Sequence, residues 1–237
     1  MICLPSVAEL EALVRLDTPT IANAMESLQI TSRAFTGREI RALTPGRPVA
    51  GIALTGTMKE QWGGKFAHIE PWLRFLEEVE KTPLPVFAVL QDESERPGRD
   101  AMIGEGMSRM MRATGAVGVL CDGVIRDVAS LQDMDFPVWA AGLVADRGQI
   151  RFHRYQVPVK IAGMKVNPGD LIMADENGAL IVPVDRLADV LAAAAQVAAK
   201  EAKLFEMFST PDFRVSQLYE FYSEPLKSAR LERSGEF

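Results

Sequence analysis

Apolar positions along this chain follow two periods in alternation. Ser6-Val-Ala-Glu9 has capping-box form, with Ser6 accepting from the first turn and Glu9 reaching back, so a helix is predicted to about Leu16. Asp17-Thr18-Pro19 starts a second helix, with Pro19 where its missing N–H costs nothing. Ile21, Met25 and Leu28 share one face of it. VAGIALTGTM (49–58) reads as a strand, IEPWLRFLEEVE (69–80) as an amphipathic helix, and LPVFAVLQ (84–91) as a buried strand. DESERPGRDAM (92–102) is polar and turn-rich, which predicts a loop. IGEGMSRMMRAT (103–114) reads as a helix opened by glycines, and VGVL (117–120) as a further strand. DVASLQDM (127–134) then gives a short helix and FPVWAAG (136–142) a strand.

The texture changes after residue 150. Short strands to 182 are separated by the turn signals Asn167-Pro-Gly-Asp170 and Asp175-Glu-Asn-Gly178. A βαβαβ order followed by a β-rich block predicts a mixed sheet in an α/β domain. Strong helix formers fill 184–208, and a mixed tail containing Tyr219, Phe221 and Tyr222 follows, a candidate for packing on a neighbouring subunit. With no repeat, linker or low-complexity stretch, residues 1–237 are predicted to form one domain.

Composition narrows the chemistry. Of 237 residues, 48% are apolar and 24% charged, the balance of a soluble protein with a large core. No segment approaches the ~20 apolar residues of a membrane span, and the first residues lack a basic leader and a cleavage site, so a cytoplasmic location without membrane contact is expected. The net charge of −6 argues against nucleic-acid binding, which needs a basic face. Cys3 and Cys121 are too few for a disulfide framework, and Cys121 sits in an apolar run where a buried thiol is expected. His68 and His153 stand far apart, without zinc-ligand spacing.

Two strand–loop–helix junctions remain, and ligands of open α/β sheets collect beyond the carboxyl ends of strands. One junction ends in Gly104-Glu105-Gly106. The other is Asp122-Gly-Val-Ile-Arg126-Asp127. If strands 84–91 and 117–120 are neighbours, the two face each other. Glycines at a helix start let N–H groups approach an anion, and Arg126 offers a planar fork for a carboxylate or a developing oxyanion. Asp127 and Glu105 are hard oxygen donors suited to Mg²⁺ or Mn²⁺, which keep several waters. The same pattern is also what an N-cap and a local ion pair produce.

The stretch GAVGVLCDGVIRDVASLQDMDFPVWAAG (115–142) resembles the signature region of the RraA-like family, and the likeness extends to TPTIANAMESL (18–28) and VNPGDLIMADENGALIVP (166–183). It covers roughly residues 15–210 and leaves about 211–237 as an extension. The family includes 4-hydroxy-4-methyl-2-oxoglutarate aldolases and regulators of ribonuclease activity, and its members once carried the name demethylmenaquinone methyltransferase. The resemblance implies a swivelling β/β/α fold with a mixed central sheet, assembled as a homotrimer or hexamer with sites between subunits. It implies a lyase of the aldolase or oxaloacetate decarboxylase type that releases pyruvate from a 2-oxo acid. In that scheme Asp127 holds Mg²⁺ or Mn²⁺, and Arg126 binds substrate and stabilises the enolate. Gly104, Glu105, Gly106 and Met107 supply backbone donors to the substrate carboxylate, and Glu105 positions a metal-bound water. The alternative implied is a non-catalytic regulator that binds a ribonuclease or other protein.

This chain departs from the family pattern in carrying Glu105 where its aldolases usually have Asp, and NAME (23–26) in the early helix. A further acid is expected from a neighbouring subunit, with Glu201 and Glu206 as candidates. The long 59–83 segment suggests that Trp62, His68 and Trp72 shape a substrate pocket, although a surface helix accounts for His68 as well. Lys65, Lys160 and Lys165 read as surface residues, and no glycine-rich loop supports a methyltransferase.

Overall fold

The computed structural model describes residues 4–31, 34–44, 46–60 and 69–223. In chain order the elements are α1 (Val7–Leu13), α2 (Thr18–Ser27), β1 (Arg41–Ala42), β2 (Val49–Glu60), α3 (Ile69–Lys81), β3 (Val86–Asp92) and β4 (Ala101–Ile103). Then come α4 (Glu105–Thr114), β5 (Ala116–Cys121), β6 (Val124–Ile125), α5 (Val128–Asp133), β7 (Val138–Ala140) and β8 (Gly142–Leu143). The last are β9 (Ile150–Tyr155), β10 (Val159–Ile161), β11 (Met164–Val166), β12 (Leu171–Asp175), β13 (Gly178–Val182) and α6 (Leu187–Phe208).

The chain divides into two compact units, residues 1–194 and 195–237. In the first, eight strands form one mixed sheet in the order β1-β7-β5-β3-β2-β12-β13, with β9 also paired to β2. Strands β2, β3, β5 and β7 are parallel neighbours; β1, β9, β12 and β13 run antiparallel to their partners. This is the mixed central sheet of the swivelling β/β/α fold expected above. In the second unit the chain is helical again over 215–223, and the Lys200 ammonium lies 5.8 and 5.6 Å from the Phe221 and Tyr222 rings.

The parallel strands read as unbroken apolar runs because both of their faces are covered. On β3, Val86, Ala88 and Leu90 enter one core cluster with α3, α4 and α5, while Phe87 and Val89 enter another with β10 and β11. That is the two-residue alternation of a strand. A third cluster packs α1, α2 and the start of α6 on β12 and β13. The first two helices start as predicted, whereas α4 begins at Glu105 rather than at 103. Ser6 and Glu9 complete the capping box of α1, and Asp17 caps α2 with Pro19 in its first turn.

Three expectations change. Ala101 and Met102 are not loop, and Ile103 does not open the helix: this apolar triplet is buried as β4 and pairs in parallel with β6, because tertiary burial outweighs the polar composition around it. The predicted strand at 136–142 breaks at Ala141, where Gly142 leaves the main sheet to pair with β6. Trp72 does not shape a pocket. It is 3% exposed, and its ring stacks on Phe75 at 5.5 Å and tilts against Phe152 at 5.5 Å. The amphipathic face of α3 therefore buries it among aromatic partners. Cys3, Trp62, Lys65 and His68 lie outside the described residues; Lys160 and Lys165 are exposed and Cys121 is buried.

Candidate functional site

Strands β3 and β5 are parallel neighbours, paired from Val86↔Ala116 to Leu90↔Cys121 with one register shift between Val86 and Phe87. Their carboxyl ends, and the two junctions that follow, are therefore side by side. A small sheet then sets the approach: β4 pairs with β6, and the Arg126 N–H donates to the Ile103 carbonyl at 3.0 Å. These bonds hold the start of α4 against Arg126 and Asp127.

The contact itself is a hydrogen bond between two helix starts. The Glu105 N–H donates to Asp127 Oδ2 at 3.0 Å, and Arg126 Nε lies 3.5 Å from the same oxygen. Asp127 occupies the N-cap position of α5 but does not cap it. Its carboxylate instead reaches the N-terminus of α4, where the helix dipole favours negative charge. The simplest N-cap account of this aspartate therefore fails. Its backbone sits in the left-handed region (φ 63°, ψ 31°), a conformation Asp tolerates better than most residues. Gly104 leaves the space the carboxylate needs, since a Cβ there would lie 2.7 Å from Asp127 Oδ2 and 3.2 Å from Arg126 Nε.

The other named residues are distributed around this pair. Glu105 turns its side chain to Arg109, with Oε1 2.8 Å from Nε and 2.7 Å from Nη2. Its carboxylate does not meet Asp127. Among the described residues, the Gly106 and Met107 N–H groups make no hydrogen bond, so they remain donors at the positive end of α4. Arg126 and Asp127 side chains are each 38% exposed, so the site opens to solvent. Glu201 is half-buried and Glu206 exposed on α6, in the second unit.

A second pair of carboxylates lies at the same strand ends. Asp92, the last residue of β3, is buried, and its oxygens accept from the Ser94 N–H at 3.0 Å and the Gly98 N–H at 2.9 Å. Asp122, just past β5, accepts the Asp92 N–H at 2.6 Å. Gly123 has no room for a side chain: a Cβ would strike Met102 Sδ and lie 3.1 Å from Asp92 Oδ2. Asp92 clamps the 93–100 loop, a role the sequence pattern did not announce. The signal available was an acid closing each of two neighbouring apolar strands.

Burial is the main reason that the Asp122 carboxyl is pushed up to about 6; the Asp92 N–H opposes the shift and the Asp92 charge adds to it. The fold thus favours protonated Asp122. Its contribution to stability is fully present below about pH 4 and is lost as pH rises through about 6. Asp122→Asn keeps the acceptor oxygen and stays neutral. It is expected to exceed the wild type by roughly 2 kcal/mol at pH 7.5, with the difference closing at pH 4. Urea denaturation at the two pH values measures this, and a pH-independent gap would contradict the assignment. The Cys121 thiol, fully buried, is pushed above its ordinary range by desolvation and is inert at neutral pH.

Among the described residues, no three Asp, Glu, His or Cys side chains converge as a protein-only metal cage. A hard dication can also be held by one carboxylate oxygen, with waters completing its shell. Asp127 fits that role: Oδ2 is held by a backbone N–H, and Oδ1 has no partner among the described residues.

Known proteins place this arrangement in context. A family model described as RraA-like: Aldolase/RraA matches residues 18–181. The chain is 26% identical over 187 residues to protein DlpA of Legionella pneumophila, covering 77% of this chain and 28% of that protein. It is 30% identical over 93 residues to a 4-hydroxy-4-methyl-2-oxoglutarate aldolase of Thermus thermophilus, covering 36% and 52% respectively. The chain thus spans less than two thirds of either relative. Among solved structures, Streptomyces coelicolor RraAS2, titled an unusual member of the RNase ES inhibitor RraA protein family, superposes with a TM-score of 0.65. It is 26% identical, with 86% of this chain and 96% of that one covered. No helix among the described residues is long and apolar enough to cross a membrane. With the family model spanning well over half its length and the fold shared with a family structure, the chain belongs to the RraA-like family.

Proposed function

We propose that the chain is a divalent-metal-dependent lyase that cleaves a carbon–carbon bond of a 2-oxo acid and releases pyruvate, as a class II aldolase or an oxaloacetate decarboxylase does. One observation carries this reading: the 3.0 Å bond from the Glu105 N–H to Asp127 Oδ2. It gathers a helix N-terminus, a guanidinium and a carboxylate at one solvent-facing opening. In this reading Asp127 holds Mg²⁺ or Mn²⁺, which when bound supplies Lewis-acid polarisation of the keto group.

The chain's own groups supply the rest. The N–H groups of Gly106 and Met107 receive the substrate carboxylate, favoured there by the helix dipole. Arg126 takes up the negative charge that develops on the keto oxygen as the bond to C4 breaks. Glu105 can hold a proton-carrying water only by leaving Arg109. That exposed i,i+4 pair costs only about 0.3–0.5 kcal/mol to break, so it is no obstacle. In a trimer or hexamer, Glu201 or Glu206 is the acid offered to a neighbouring copy.

The test is pyruvate release from oxaloacetate and from 4-hydroxy-4-methyl-2-oxoglutarate with Mg²⁺, then with EDTA. Release that chelation abolishes is expected. An equal rate in EDTA refutes metal dependence. Glu105→Asp is expected to retain or raise the rate, because the shorter acid cannot reach Arg109 as readily and is freer to serve the site. Complete loss in that variant would show that the glutamate's length is required.

The second reading is a regulator that binds a ribonuclease or other protein. The likeness to RraAS2 supports it, and a chain of net charge −6 suits a basic partner segment. Absence of metal-dependent release from both substrates would favour it.

A further inference from the structure

At the opposite ends of the same parallel strands lies a cavity of about 640 Å³. Its apolar wall comes from Leu10 of α1, Val14 just after it, Val49 of β2, Ala116 of β5, and Phe136 after α5. Three arginines from separate elements line it as well: Arg15 after α1, Arg47 before β2 and Arg112 in the last turn of α4. Among the described residues, no ion pair or hydrogen bond engages any of these guanidiniums. Glu11 and Asp135 also line the cavity, leaving three cations against two carboxylates in a chain of net charge −6. The loop carrying Arg47 packs on the turn carrying Phe136, since a Cβ at Gly46 would lie 3.7 Å from Pro137 Cγ and 3.9 Å from Asp135 Oδ1.

A single solvated arginine needs no explanation. Three at one apolar cavity, with no partner for their guanidiniums among the described residues, repel one another and leave their hydrogen-bond donors available to an anion. Guanidiniums match carboxylate and sulfonate oxygens in a planar fork, and the volume falls within the ~300–1,000 Å³ of small-molecule sites. We propose that this cavity binds a small soluble anion with an apolar body, such as an aliphatic or aromatic carboxylate. The site is distinct from the one at Arg126 and Asp127, because the six residues of β5 separate the two by roughly 17 Å.

The probe is 8-anilinonaphthalene-1-sulfonate, titrated into the full chain. Saturable binding at one site per chain is expected, with displacement by octanoate but not by 1-octanol at equal concentration. The triple variant Arg15→Gln, Arg47→Gln, Arg112→Gln is expected to weaken the probe at least ten-fold while melting like the wild type, since all three side chains are exposed. Arg126→Ala is expected to bind the probe unchanged. The proposal is overturned if the triple variant binds as tightly as wild type, if octanol competes as well as octanoate, or if Arg126→Ala removes binding. Stoichiometry that falls as protein concentration rises would also overturn it, by showing that a second copy of the chain fills the cavity.

Discussion

Asp127→Ala is expected to lower metal-dependent pyruvate release about a thousand-fold, and Arg126→Ala by a hundred- to a thousand-fold. The two losses have different physical origins. Asp127 is the carboxylate held at the start of α4 by the Glu105 N–H. Removing it takes away the oxygen donor proposed for the dication and frees an N–H that then competes for the substrate carboxylate. More Mg²⁺ should therefore recover part of the rate in Asp127→Ala. Arg126 is proposed to stabilise charge that exists only in the transition state, so its loss should fall mainly on kcat and resist added metal. The double variant should cost less than the sum of the two, because both side chains meet at Asp127 Oδ2. Release of pyruvate at wild-type rate by either single variant would remove these residues from the chemistry.

The largest effect on stability is expected at Asp175. This aspartate ends β12 and is 1% exposed. It accepts from the Thr18 N–H at 2.6 Å, the Thr18 hydroxyl at 2.7 Å and the Asn177 N–H at 2.8 Å. It therefore ties the first turn of α2 to the β12–β13 hairpin. Bonds to a buried carboxylate are worth about 1.5–3 kcal/mol each, and alanine would also leave buried donors unmet. The expected loss is about 4 kcal/mol, or roughly 10 °C in melting temperature for a chain of this size. Asp17 caps the same helix with an ordinary exposed bond to the Thr20 N–H, and Asp17→Ala should cost only about 1 kcal/mol. If calorimetry finds the two alanine variants equally stable, Asp175 is not the tie holding α2.

The junction after the 117–120 strand pointed to Arg126 and Asp127 from residue chemistry alone, the resemblance carried by residues 115–142 gave them the same roles, and the apolar runs predicted the parallel strands that bring the two junctions together. The pattern could not show the direction of the Asp127 side chain. Local spacing suggested a cap for its own helix, whereas β4 and β6 turn it towards α4. Nor could spacing show that Glu105 pairs with Arg109, because a carboxylate at a helix start has donors on both sides.

By itself the sequence determined what depends on neighbours along the chain. It gave the capping box at Ser6 and Glu9, the start of α2 at Asp17, the hairpin at Asp175–Gly178, and the alternation that buries both faces of β3. These follow from the short reach of caps and turns and from the two-residue period of a strand. Only the tertiary structure decided that Ala101–Ile103 would be a strand and that Trp72 would be core. It alone desolvated Asp122 beside Asp92 and brought three arginines to one cavity. Each of these depends on groups distant in sequence coming together, where burial outweighs local preference.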